Sequence, residues 1–311
     1  MIQRVAVGID LGGSNARAVA TDHAGRALRT TCVPVSSVRD LEDLAELVGD
    51  VLTPAWTVSG IGVGVTGPVD AGTGTVDNPH TLPEGLQGPL GDVLERRWQC
   101  PVSLLNDADA AALGEWWLGA GCGIDRLACV TVGTGIGVAF LRRGRLDDGP
   151  HGEAGHHLLD PAGPRCYCGA NGCWEVLCAG PAIATRARHK LESGAVSSAL
   201  TLASPFSGVT VTDAARAGDP LAAEVIEETA ALLGLGLVNT IAFLAPERIV
   251  LGGGVMRDFD LFEPSVRRVL ARHRGMVPTT GVSIVPAALG DRAGALGAAY
   301  AALERRDGRS R

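Results

Sequence analysis

The sequence predicts an α/β protein built as two domains, and three observations lead there. At 311 residues the chain is too long for one ordinary core. A Gly-rich strand–turn–strand pattern occurs twice, about 120 residues apart, a spacing that points to duplicated domains and not to a solenoid. Strand-like apolar runs also alternate with helical patterns, as at 102–105 before 108–117 and at 219–245 before 249–251.

In chain order, the first repeat is Arg4-Val-Ala-Val-Gly-Ile-Asp10-Leu-Gly12-Gly13-Ser14-Asn-Ala-Arg-Ala-Val19. It reads as an apolar strand, a Gly-rich turn with a hydroxyl residue, and a second strand. The polar turn Asp22-His-Ala-Gly25 then leads to another short apolar element. Residues 102–105 form a short buried strand ending in Asn106-Asp107, and Ala108-Asp109 opens a helix. The second repeat runs from Arg126 to Phe140 around Thr131-Val-Gly133-Thr134-Gly135, and its polar turn is Arg142-Arg-Gly144. The region 219–245 is a buried helix: Asp219 caps it, Pro220 occupies its first position, glutamates 224, 227 and 228 lie in its N-terminal half, and Pro246 stops it. Ile249-Val-Leu251 is a strand entering Gly252-Gly253-Gly254.

A net charge of −7, with no basic run, argues against nucleic acid as a partner. The longest apolar stretch, 230–245, is broken by Gly234, Gly236, Asn239 and Thr240, so no membrane span is expected. Nothing resembles a signal peptide, since Met1 leads at once into a strand, and a reducing cytoplasm is expected. There, clustered cysteines bind metal more often than they form disulfides.

Such a cluster is Cys166-Tyr-Cys168-Gly-Ala-Asn-Gly172-Cys173-Trp-Glu175, with Glu153-Ala-Gly-His156 upstream. Three thiolates and one imidazole, from Cys166, Cys168, Cys173 and His156, make the ligand set of a closed structural zinc site. Gly169 and Gly172 allow the sharp turns that bring the sulfurs together. Glu153 and Glu175 are left over on metal-pinned loops, forming a rigid polar wall. Cys32, Cys100, Cys122, Cys129 and Cys178 stand singly among apolar residues and read as packed core thiols.

Gly12-Gly13-Ser14 and Gly133-Thr134-Gly135 are turns whose successive amides form anion-binding nests. Either alone reads equally as a plain hairpin turn; as a pair in equivalent places they favour nucleotide phosphate binding. Each enters a strand and not a helix, so the dinucleotide fingerprint is not matched. Gly252, Gly253 and Gly254 would let the adenine-ribose end of a nucleotide lie against backbone, or simply turn the chain from strand to helix. Asp107, at a strand end with Asn106 free to cap the helix, is placed to accept a proton from a substrate hydroxyl. Asp10, beside the first nest, would hold Mg²⁺ through water or else bond its own turn. Asn106, Asp107, Glu153, His156 and Glu175 suit a polyol, with one nitrogen of His156 on zinc and the other toward a hydroxyl. His151, His157 and His189 read as solvated or core histidines.

Together these motifs resemble the bacterial ROK family of sugar kinases, from Val5 to about Ala301. The Glu-x-Gly-His and Cys-x-Cys-Gly-x-x-Gly-Cys-x-Glu pair is the most specific element. The resemblance implies the two-domain actin-like ATPase (ribonuclease H-like) fold with an interdomain active-site cleft that closes over ATP and a hexose. The first domain would take residues 1–108 plus a C-terminal helix over 292–304; the second, residues 109–291, would carry the zinc loop. It implies Asp107 as base for the terminal hydroxyl, and Asn106, Glu153, His156, Glu175 and Gly67 as sugar contacts. It also implies ATP with catalytic Mg²⁺, structural Zn²⁺, and a homodimer or homotetramer. The family's repressor branch carries a winged helix-turn-helix before the first phosphate motif; with Asp10 already in that motif, none is expected here. Ser14 replaces the usual Thr. Where glucokinases of the family read Pro-Asn-Leu, this chain has Asn78-Pro79-His80-Thr81-Leu82. His80, or a shifted Asn78, would alter the reading of one hydroxyl, toward glucose or toward an N-acetylhexosamine, fructose or a carbocyclic analogue. Inorganic polyphosphate is an alternative donor, and a sugar sensor without turnover is the competing class.

Overall fold

The computed structural model describes residues 3–67, 69–70, 72–78, 82–147, 151–194, 197–202 and 207–306. The chain divides into two compact units, one made of 1–129, 139–152 and 287–311, the other of 130–138 and 153–286. The chain opens with β1 (Gln3–Leu11), β2 (Asn15–Thr21) and β3 (Ala27–Pro34), then α1 (Leu41–Asp50) and β4 (Trp56–Val65). A two-stranded ribbon, β5 (Val69–Asp70) and β6 (Thr75–Val76), precedes α2 (Leu90–Trp98), β7 (Val102–Asn106) and α3 (Asp107–Leu118). The second repeat gives β8 (Arg126–Val132), β9 (Ile136–Arg142) and β10 (Arg145–Leu146), followed by α4 (Trp174–Cys178), α5 (Gly180–Ser193), α6 (Gly208–Arg216) and α7 (Pro220–Leu244). β11 (Arg248–Gly252), α8 (Phe259–His273), β12 (Ser283–Pro286) and α9 (Ala293–Arg306) complete it.

The duplicated pattern reappears as two five-stranded sheets, ordered β3-β2-β1-β4-β7 and β10-β9-β8-β11-β12. In the first, β1 pairs antiparallel with β2 and parallel with β4, and β4 pairs parallel with β7. Val7, Ile9, Leu11, Ile61, Val63 and Val65 face Leu44, Leu47 and Val48 of α1 and Leu90 and Leu94 of α2 in one core. Alternation sends Ala6, Gly8 and Asp10 of β1 to the other face, where α9 lies. The contact is at backbone distance: a Cβ on Gly8 would collide with the Ala295 carbonyl, and one on Gly62 with that of Ala298. α3 closes on the same helix, with Gly297 of α9 against the Ala110 carbonyl. α3 therefore belongs to the first compact unit, packed there by small residues.

In the second unit α7 is the central helix, and its termini follow the expected signals. Asp219 accepts from the Ala222 amide at 2.9 Å, Pro220 opens the first turn, and Ala245 takes a left-handed conformation (φ 45°) before Pro246. No helix among the described residues is long and apolar enough to cross a membrane.

Candidate active site

The parallel strands of the first sheet end together. Asp10 of β1 is level with Gly64 of β4, and Val65 with Asn106 at the end of β7. Asp107 is the next residue and the first of α3. The Asn106 side chain caps the helix, accepting from the Ala108 amide at 2.8 Å, and the same N–H also reaches Asp107 Oδ1 at 2.8 Å. Asn106 thus shares the cap with Asp107 and does not replace it. Its amide donates to the Gly67 carbonyl at 3.2 Å, so Gly67, with φ +90°, is tied to the end of β7. Asn78 holds the neighbouring turn, donating to the Thr66 carbonyl at 2.8 Å from a buried position.

The electrostatics of this sheet end are those of crowded anions. Burial, then the nearby Asp107, push Asp10 up to about 7, against the opposing pull of Arg17. Burial and Asp107 also push Asp109 up to about 7. Carboxylates that resist ionisation together are relieved by a cation. Asp109 was not singled out by the sequence, although its place one position beyond an i,i+1 neighbour of Asp107 on the first helical turn was a usable signal.

In the second unit the cysteine loop closes on itself. The Cys166 amide donates to the Ala170 carbonyl at 2.8 Å and the Gly169 amide to that of Cys166 at 3.1 Å. Gly169 and Gly172 take φ of +96° and +65°, which side chains disfavour. The result brings one ligand atom each from His156, Cys166, Cys168 and Cys173 within 4.8 Å of one another. Cys168 Sγ lies 3.4 Å from Cys173 Sγ, and Cys166 Sγ 3.5 Å from His156 Nδ1. Tetrahedral zinc, with bonds of about 2.3 Å to sulfur and about 2.0 Å to nitrogen, needs ligand edges a little under about 4 Å. The donor set and its spacing fit that ion. Burial pushes the Cys173 thiol up to about 12 and Cys166 upward, while the Ala170 amide lowers Cys168.

The polar wall stands on this loop. Trp174, fully buried, anchors α4 and donates its amide to the His157 carbonyl at 2.9 Å. Glu175 is thereby fixed: its Oε2 accepts from the Ile136 amide at 2.8 Å, and its Oε1 is 4.0 Å from His156 Nδ1. His156 Nε2 lies 3.6 Å from Glu153 Oε2 and 3.1 Å from the hydroxyl of Tyr167, a residue the sequence reading passed over. Tyr167 also hydrogen-bonds Glu175, and that carboxylate keeps the phenol protonated. His157 turns away, its Nδ1 2.7 Å from the Ala154 carbonyl, and burial lowers its pKa.

The Gly-rich turns divide their duties. Gly12 donates to the Asn15 carbonyl at 3.1 Å, leaving Gly13 and Ser14 at an exposed tip. In the second turn Gly133 donates to the Gly135 carbonyl at 2.9 Å, Thr134 is exposed, and a Cβ on Gly135 would collide with Glu175 Oε2. Gly253 (φ +89°) is packed against the Val132 backbone, whereas Gly252 ends β11 and Gly254 starts a short 3₁₀ turn. His80 lies outside the described residues. Among the single cysteines, Cys129 and Cys178 are buried, but Cys32 and Cys122 are exposed. Cys32 sits on β3, the edge strand of the first sheet among the described residues, and Cys122 on the turn after α3.

A family profile described as the ROK family matches residues 6–305. The chain belongs to that family. It is 31% identical to a glucokinase of Streptomyces coelicolor over 96% of this chain and 97% of that one. Among solved structures it resembles a ROK family glucokinase from Streptomyces griseus in complex with glucose and AMPPNP, with TM-score 0.81, 31% identity, and coverage of 96% and 99%. A ROK hexokinase from Thermus thermophilus matches with TM-score 0.79, 32% identity, and coverage of 97% and 99%. The ROK kinase structures carry the actin-like ATPase fold, and the expected fold class holds.

Proposed function

We infer that the chain is an ATP- and Mg²⁺-dependent hexose kinase that phosphorylates the primary hydroxyl of glucose. The observation that carries this reading is Asp107, set at the end of β7 beside Asp10. Strand ends of parallel sheets are where such sites gather. Asp107 accepts the proton of the primary hydroxyl as that oxygen attacks the γ-phosphorus and ADP leaves. Asp10, through water, would hold Mg²⁺, which supplies charge neutralisation on the phosphates. Gly12, Gly13 and Ser14, with Thr134, offer backbone and hydroxyl donors for phosphate, and Gly254 offers an uncrowded backbone for the nucleoside. Asn106, Glu153, His156 and Glu175 bind the sugar hydroxyls. His156, Cys166, Cys168 and Cys173 would hold Zn²⁺, which supplies a fixed corner and no chemistry.

A second reading, a kinase for another sugar, is favoured by the Asn78 amide, which is turned onto the Thr66 carbonyl. A coupled ADP-release assay over glucose, N-acetylglucosamine and fructose, with ATP and polyphosphate as donors, separates the two. Turnover with glucose and ATP is expected; absence of turnover with every sugar overturns the kinase reading.

A further inference from the structure

We propose that Tyr167 is a specificity-determining residue of the sugar pocket, its phenol oxygen competing with a substrate hydroxyl for His156 and Glu175. The inference rests on the assignment of Glu153, His156 and Glu175 to sugar binding.

Tyr167 lies between two sulfur ligands, so its backbone is fixed while its side chain is 74% exposed. An exposed tyrosine ordinarily points its hydroxyl at water. This one turns back: the hydroxyl is 3.1 Å from His156 Nε2, and the ring meets the imidazole edge-on, at 5.1 Å and 90°. With Nδ1 facing the sulfurs, Nε2 carries the proton and donates to the phenol oxygen. The phenol O–H in turn donates to the Glu175 carboxylate. One oxygen that accepts from histidine and donates to a carboxylate has the bonding pattern of an alcohol on a sugar ring.

A sugar hydroxyl that makes those two bonds must displace the phenol. The ring, being mostly exposed, has open space to swing into, and it gives up its edge contact with the imidazole. The hydrogen bonds lost by the phenol are subtracted from those gained by the sugar. Tyr167 therefore weakens the binding of a sugar that places a hydroxyl there and leaves the binding of one that places none little changed.

Tyr167→Phe keeps the ring and deletes the competing oxygen. Sugar affinity is measured by titration calorimetry with glucose, N-acetylglucosamine and fructose, on wild type and variant, alongside KM, kcat and zinc content. The expected result is a fall in Kd and KM of about twofold to tenfold for the sugar that binds best, the range for one net hydrogen bond, with kcat and zinc unchanged. An unchanged or raised Kd overturns the inference, and so does a fall in Kd accompanied by loss of zinc, which would assign the effect to the loop. If wild type binds none of the three sugars, the assignment of the sugar wall fails first and this inference with it.

Discussion

Glu175 reaches the Ile136 amide at 2.8 Å only because Gly135 has no side chain: a Cβ there would occupy the place of the carboxylate oxygen. The Thr-x-Gly-Thr-Gly turn, expected from sequence to form a phosphate nest, thus holds in register the carboxylate proposed to bind sugar. Gly135→Ala is expected to push Glu175 off its amide and raise the sugar KM by roughly tenfold to a hundredfold, as for the loss of a charge-assisted hydrogen bond. Steady-state kinetics with sugar varied checks it; an unchanged KM would show that Glu175 does not need that anchor.

Asp107→Asn keeps the shape of the first turn of α3, since Asn106 still caps it. It removes the proton acceptor. The expected loss is about 10²–10⁴ in kcat, with nucleotide affinity and melting temperature near wild type. Turnover at the wild-type rate would exclude Asp107 as the base.

Asp10 carries a pH-dependent stability of definite sign. Its pKa in the fold, about 7, is above the ordinary 3.8, so ionising it is harder in the folded chain than in the unfolded one. Metal-free protein should therefore lose stability as pH rises from about 4 to about 7, by at most about 1.4 kcal/mol per unit, and no further above it. Asp10→Asn removes this limb: melting temperatures of variant and wild type should agree near pH 4 and differ by a few degrees in the variant's favour at pH 8. Scanning calorimetry in chelator reads the difference. The same variant should be inactive with Mg²⁺ and ATP.

Cys168→Ser removes a solvent-facing sulfur of the proposed zinc site without opening the core. Zinc content should fall, and the sugar KM should rise by roughly tenfold as Glu175 and His156 lose their common support. Metal analysis and kinetics on one preparation test the link. Full sugar affinity in zinc-free protein would uncouple the metal from the pocket.

Short-range patterns were legible without coordinates because local chemistry decides them. Asp219 and Pro220 start α7 and Pro246 ends it, as caps and missing amide protons require. The cysteine spacing, with glycines at the two positive-φ positions, was enough to foresee that His156 and three sulfurs converge. The exposed Cys32 was misread, since an apolar flank on a strand does not reveal whether the strand is an edge. Tyr167 was passed over for a related reason: its neighbours in sequence are metal ligands, and its partners Glu175 and His156 lie eight and eleven residues away on either side.

By itself the sequence determined the duplicated hairpins, the bounds of α7, the convergence of His156 with three cysteines and the family. These depend on residues near one another along the chain. Only the tertiary structure decided that Gly8 and Gly62 lie beneath α9, that Asp10 lies in the field of Asp107, and that Gly135 yields its space to Glu175. Each of those is a contact between distant segments, settled by how closely backbones pack and how charges meet once the sheets have formed.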